Sequence, residues 1–314
     1  MQAEEKNRQV ILQMKKEFLQ LLNTDFDEIY ISKFKSPYQS LVIEAFECEE
    51  LTQREIFLKE RIFTSLEIPD FKQFANPFYI GFGNPNSDIL VIGKEKAFPS
   101  DNFELLIKES INNYGQWKAI IQNDLFKMNQ LDVTSKIGFS PLLPKSYHKG
   151  KTKRNHTWSI TASIINQIYP EKELQVNESQ DITKSFFQQC FLTELNYKPA
   201  KYHEGSGLSL ERMDFLKSNF FKSFPSVIFS AKSYLKGDDK IIKEIFNAKF
   251  DCVIELDKIG RDKTKPLTVE KYISEYQTIY VCNQLSGASG WSNNSLTKFA
   301  EQISKDLVKS TPNI

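Results

Sequence analysis

The chain has 314 residues, 40% of them hydrophobic and 26% charged, which is ample material for a large core. A formal net charge of +1 excludes a globally basic nucleic-acid binder but leaves room for a local basic face. The four cysteines, Cys48, Cys190, Cys252 and Cys282, lack CxxC spacing, and three lie in apolar runs, which argues against a disulfide framework or a thiolate metal site.

Residues 3–23 place Val10, Ile11, Met14, Phe18, Leu19, Leu21 and Leu22 at helical spacing, and Asn23-Thr24-Asp25 ends that helix. A mixed segment follows through Ala75, within which Leu51–Leu66 again reads as helix. Short apolar runs then predict strands at 88–92, 190–195, 226–230, 251–256 and 278–282. Helices are predicted near 103–112, 117–129, 157–168, 182–188, 209–222, 238–247 and 292–308. Strands separated by helix-length insertions imply parallel pairing through right-handed crossovers. The expected fold class is α/β: a three-layer α/β/α domain over 76–314 with a mostly parallel central sheet of four to five strands, after an N-terminal helical extension over 1–75. No run approaches the roughly 18 apolar residues of a membrane span, and Met1-Gln-Ala-Glu-Glu-Lys6 lacks a signal-type apolar core. A cytoplasmic protein without a membrane partner is therefore expected.

In parallel sheets, ligands bind beyond the carboxyl ends of the strands. Three predicted ends carry polar groups: Gly93-Lys94-Glu95, Glu194-Leu195-Asn196 and Asn283-Gln284-Leu285-Ser286. Convergence on one edge would let Glu95, Glu194, Asn283, Gln284 and Ser286 share a cleft. A separate loop holds Lys145, Lys149, Lys151, Lys153 and Arg154 with His148 and His156, and no acid. Clustered cations of this kind gain affinity for a polyanion by releasing counterions, although a solvated loop has the same composition. Tyr147 and Trp158 beside it offer either stacking surfaces or core volume. His203, in a glycine-containing loop, is suited to phosphate contact or to plain solvation. No zinc-deaminase, Walker-type or dinucleotide-binding motif is present in the sequence.

The order of four segments adds to this reading. Gly83-Asn-Pro-Asn-Ser-Asp-Ile-Leu-Val-Ile-Gly93 is followed by Phe191-Leu-Thr-Glu-Leu195, Pro225-Ser-Val-Ile-Phe-Ser-Ala231, and a last strand with the loop Leu285-Ser-Gly287. Over residues 80–308 this resembles the uracil-DNA glycosylase superfamily in a divergent form. The resemblance implies a DNA partner, no cofactor, and hydrolysis of the N-glycosidic bond of a base flipped into a pocket at the sheet edge. Glu95 would orient water and stabilise the oxocarbenium-like sugar, with Gly93, Lys94 and Phe98 around the base. The family commonly has a proline next to this acid, whereas here Lys96 follows and Pro99 comes later.

Glu194 takes the place where the family commonly has an asparagine that reads uracil. A carboxylate only accepts hydrogen bonds, so it opposes uracil O4 and suits the N4 amine of a cytosine-type base. Asn196, two residues on, would restore a uracil reader. Asn283 and Gln284 stand where the family has a histidine for the departing base; they can hydrogen-bond but not ionise. Leu285, or else Trp291, is a candidate wedge for the vacated stack or a packing residue. The departures suggest a specialised target, such as a hypermodified base in foreign DNA, in defence or repair. Two alternatives stay open: a metal-dependent nuclease built on Asp251, Glu255, Asp257 and Lys258 along one strand face, and a non-catalytic nucleic-acid-binding protein. The oligomeric state is left open.

Overall fold

In a computed structural model the described residues are 14–68, 70–95, 103–122, 141–142, 156–172, 174, 185–199, 208–258, 266–285 and 289–310. They form two compact units. The first takes residues up to Phe82 with the described parts of 95–146 and 194–215; the second takes 83–94, the described parts of 147–193, and the chain from Leu216 on.

The first unit is helical. It begins with α1 (Lys16–Leu22), α2 (Phe26–Ile31), α3 (Tyr38–Phe46) and α4 (Leu51–Phe57), the last running on as a π-helical turn over Leu58–Phe63. Asp25 caps α2 by accepting the Glu28 N–H at 3.1 Å. Phenylalanine fills the core: the Phe74 ring lies 5.2 Å from Phe34 and 5.1 Å from Phe63, and Phe18 meets Trp117 edge-on at 5.2 Å. Two further helices are α5 (Phe103–Leu106), which continues as a π-helical turn over Ile107–Ile111, and α6 (Asn113–Gln122). Side chains of α6 satisfy the irregular backbone that runs from Asn76 to Gly81. Asn113 Oδ1 accepts the N–H groups of Ile80 and Gly81 at 2.7 and 3.1 Å, while Asn113 Nδ2 and Trp117 Nε1 both donate to the Gly81 carbonyl at 3.0 Å.

The sheet has seven strands in the order β1-β3-β2-β4-β7-β6-β5. These are β1 (Phe82–Gly83), β2 (Ile89–Gly93), β3 (Phe191–Glu194), β4 (Ser226–Phe229), β5 (Lys249–Lys258), β6 (Pro266–Ile273) and β7 (Thr278–Val281). Centrally, β2, β4 and β7 run parallel, with Ile92, Phe229 and Val281 in register. The apolar runs Ile89–Ile92 and Val227–Phe229 are buried, as strands covered on both faces require.

At one flank the expectation of four to five mostly parallel strands is corrected. Strand β6 pairs antiparallel with both β7 and β5. The physical reason is connection length: seven residues, 259–265, separate β5 from β6, too few for the dozen or more of a parallel crossover. The missed strand buries Leu267 and Val269 on one face and Tyr272 on the other, among half-buried neighbours.

Helices α7 (His156–Ile168), α9 (Asn219–Lys222), α10 (Lys240–Phe246) and α11 (Asn293–Ser310) belong to the second unit, while α8 (Leu210–Leu216) carries the chain into it. The single helix expected over 209–222 is thus two, α8 and α9, with Ser218 at the start of the second. Helix α11 packs on α7 and β5. Its Asp306 is buried and anchors a polar network, accepting from Tyr280 Oη at 2.7 Å and Gln302 Nε2 at 2.8 Å and pairing with Lys271 Nζ at 2.9 Å.

The Gly83-Asn84-Pro85-Asn86 segment is a clamp. Gly83 has φ of +99°, and a Cβ there would lie 2.4 Å from the Cys190 carbonyl oxygen, so only glycine fits. Its neighbour Asn84 donates its N–H to Phe187 O at 2.9 Å and Cys190 O at 3.0 Å, and its Nδ2 to Gln188 O at 2.8 Å. The turn that leads into β3 is fixed by these bonds.

Candidate functional site

The parallel register of β2, β4 and β7 brings their carboxyl ends out together. After β2 the chain's next strand, β3, lies on one side, whereas after β4 the next parallel strand, β7, lies on the other. Winding therefore reverses at the β2–β4 pair, the place where open α/β sheets bind ligands. Ser230 follows β4 there and is buried, giving its N–H and its Oγ to the Ile92 carbonyl at 2.9 and 3.0 Å. Cys282 follows β7; its N–H bonds Phe229 O at 3.0 Å and its carbonyl accepts the Lys232 N–H at 3.2 Å. Burial pushes the Cys282 thiol well up, with the Lys232 charge opposing, so it stays protonated and unreactive. The Lys232 ammonium pairs with Glu270 at 2.8 Å.

Of the expected site residues, Gly93, Lys94, Asn283 and Gln284 stand at this edge of one sheet. Lys94 and Gln284 are half-buried and Asn283 is exposed. Leu285 is only 1% exposed. Trp291 stacks on Phe299 at 5.6 Å and donates Nε1 to the Gln284 carbonyl at 3.3 Å, so both wedge candidates are packed in this structure. Trp158 likewise packs in the second unit, 5.4 Å from Phe187. His156 opens α7. Phe98, Lys145, Tyr147, His148, Lys149, Lys151, Lys153, Arg154, His203 and Ser286 lie outside the described residues.

Glu95, Glu194 and Asn196 fall in stretches of the first unit. Half-buried Glu95 follows Lys94 directly. Asn196 is 4% exposed, and its Oδ1 accepts the Lys198 N–H at 3.1 Å in an Asx turn, which commits that oxygen to the backbone. At Glu194 the carbonyl accepts from Arg212 Nε at 3.0 Å and Nη2 at 2.7 Å. Nη1 of the same guanidinium bonds Pro77 O at 3.0 Å and Tyr79 O at 2.7 Å, and the group lies 4.2 Å from the Tyr79 ring centroid. Arg212 is wholly buried. Burial lowers its pKa, opposed by Tyr79 and by the negative charge of Glu194.

Sequence reasoning missed Arg212. Its signal was an arginine on an apolar helical stripe, with Leu208 four residues before and Phe215 and Leu216 three and four after.

The acids of β5 do not form the shared face expected of them. Register shifts between Phe250 and Cys252 and between Glu255 and Asp257 break the alternation. Asp257 accepts from Asn294 Nδ2 at 2.9 Å and Ser292 Oγ at 3.4 Å at the start of α11, and Asp251 lies 3.7 Å from Lys271. Among the described residues, no cluster of three or more His, Cys, Asp or Glu side chains is placed to hold a metal ion. A cleft of 630 Å³ opens between α7 and α11, lined by Asn166, Gln167, Leu174, Thr297 and Glu301, away from the strand ends. No helix among the described residues is long and apolar enough to cross a membrane. No family model, curated protein or solved structure matches the chain.

Proposed function

We propose that the chain is a DNA glycosylase that resembles the uracil-DNA glycosylase superfamily and hydrolyses the N-glycosidic bond of a flipped, cytosine-type base. The observation that carries this reading is the common edge of β2, β4 and β7, from which Gly93-Lys94 emerges at the reversal of winding and Asn283-Gln284 one strand beyond it. The motif order in the sequence assigns the first segment to water and sugar and the last to the departing base. A three-layer α/β/α arrangement over 76–314 is part of the same proposal.

In this mechanism the Glu95 carboxylate accepts a proton from the attacking water and its charge stabilises the oxocarbenium-like sugar. Glu194 accepts from the exocyclic amine of the base. The amides of Asn283 and Gln284 hydrogen-bond the leaving base without supplying a proton, so the base departs as an anion that solvent then protonates, and turnover is slower or restricted to better leaving groups. The loop over 145–156 grips phosphates. Water is the only co-reactant, so the reaction needs no cofactor.

The reading is tested by incubating the protein with single- and double-stranded DNA carrying cytosine, 5-hydroxymethylcytosine or uracil, in EDTA, followed by alkali. A glycosylase leaves abasic sites that alkali cleaves. Strand breaks that appear before alkali and vanish in EDTA would instead identify a nuclease.

A further inference from the structure

The first unit carries a cleft of its own, for which the strand-end chemistry has no use. It encloses 360 Å³, within the range of about 300–1,000 Å³ typical of small-molecule sites. Its walls are aromatic. Tyr38 and Tyr197 present half-buried rings, and Phe34 and Tyr30 lie deeper. The Tyr30 hydroxyl is already given to the Phe74 carbonyl at 2.7 Å, so Tyr30 offers the cleft only its ring.

The charge at the cleft is basic. Lys33 and Lys35 line it, and Lys198 Nζ sits 5.8 Å from the Tyr197 ring centroid. Among the described lining residues the one carboxylate, Glu211, is paired with Lys33 at 2.9 Å. The Lys33 hydrogen bond, ahead of an opposing burial effect, holds the Glu211 carboxyl below its ordinary range, and Lys198 adds to the lowering. Glu211 is therefore ionised at neutral pH and matched to Lys33, which leaves the positive charge of Lys35 and Lys198 in excess among the described residues at the cleft. Gln73, exposed at the rim, has an amide that can both donate and accept.

We propose that this cleft binds a single nucleotide, its base stacked on the half-buried tyrosines and its phosphate met by Lys35 and Lys198. A purely apolar ligand would strip water from the lysines without replacing it, and a bare anion would leave the aromatic walls unused. The nucleotide is either free in solution or one unit of a single strand. None of the cleft residues has a role in the proposed glycosylase reaction, so this inference stands or falls separately.

The test is isothermal titration of the full chain with dCMP, with dAMP, with a single-stranded dT decamer and with inorganic phosphate. Lys35→Glu and Tyr197→Leu are compared with wild type, and unchanged circular dichroism and melting confirm that both variants fold. Binding of a mononucleotide or of the decamer is expected, weakened about tenfold by each variant. A signal from dCMP identifies a free nucleotide as the ligand, and a signal from the decamer alone identifies a strand. The proposal is overturned if neither binds, if both variants bind as wild type does, or if inorganic phosphate binds as tightly as dCMP.

Discussion

Arg212 holds the backbone carbonyl of Glu194 with two nitrogens at once, Nε at 3.0 Å and Nη2 at 2.7 Å. A planar guanidinium does this where an ammonium cannot, because its donors are fixed in a fork. The end of β3 is thereby tied to the Pro77–Tyr79 backbone, whose carbonyls take the remaining bonds. The backbone of Glu194 is thus held as part of this buried cluster.

Arg212→Met should therefore destabilise the protein by about 3–5 kcal/mol, since it leaves three buried carbonyls without their donor. Arg212→Lys should recover less than half of that loss. Urea unfolding followed by tryptophan fluorescence measures both. A cost below about 1 kcal/mol for the methionine variant would mean that solvent or a neighbouring group replaces the guanidinium.

If Glu194 reads the base by accepting from an exocyclic amine, Glu194→Asn should shift preference from cytosine-type bases towards uracil. One reversed hydrogen bond is worth about 1–3 kcal/mol, so the ratio of initial rates on the two substrates should move by tenfold or more. An unchanged ratio would remove Glu194 from base recognition.

Two glycines separate crowding from backbone strain. Gly83 has both a left-handed φ of +99° and a carbonyl oxygen 2.4 Å from the place a Cβ would take, whereas Gly237 has φ of +84° with nothing within 4 Å of that place. Gly237→Ala should cost about 1–2 kcal/mol, the ordinary penalty of that conformation. Gly83→Ala should cost more, because the Cys190 carbonyl that it meets is backbone and cannot swing away. Thermal melts of the two variants decide the order; equal costs would contradict the clamp described for Gly83-Asn84.

The Asp306 network sets a pH window. Burial works against the Asp306 carboxylate, but hydrogen bonds from Tyr280, Gln302 and Lys271 outweigh it and lower its pKa below 3.8. Its contribution is present above that value and is lost as pH falls through the folded pKa. For Lys271 burial also opposes the charge, and Asp306 outweighs it, raising the pKa above 10.5. That contribution is present below 10.5 and is lost as pH rises through the folded pKa. Asp306→Asn should therefore cost about 3 kcal/mol near neutrality, and the gap from wild type should narrow in strong acid and in strong alkali. A gap that is flat across denaturation curves at pH 3, 7 and 11 would contradict the assignment.

The central strands were legible because burial on both faces leaves unbroken apolar runs such as Ile89-Leu-Val-Ile92, and β2, β4 and β7 fall where those runs do. Helices α7, α10 and α11 were legible from their apolar stripes. Strand β6 was not read, since Pro266–Ile273 interleaves Thr268, Glu270 and Lys271 with its buried positions and so resembles a polar connection. Helices α2 and α3, of 6 and 9 residues, are too short to show a clear period. At the site, strand ends marked Gly93, Lys94, Asn283 and Gln284, because polar residues interrupt apolar runs there. Arg212 was hidden, because its partners are backbone carbonyls from distant segments and leave no side-chain signature in sequence. The cleft around Tyr38 and Tyr197 was hidden for the same reason: Tyr197 and Glu211 lie far along the chain from Lys33 and Lys35.

The most direct test of the proposed activity is mass spectrometry of free bases released from DNA carrying cytosine, 5-hydroxymethylcytosine, its glucosylated form or uracil, with wild type beside Glu95→Gln. The account predicts a free cytosine-type base from wild type in EDTA, and a loss of turnover of about a hundredfold or more with DNA affinity retained in Glu95→Gln. No released base from any of these DNAs, or equal release by the glutamine variant, would contradict it.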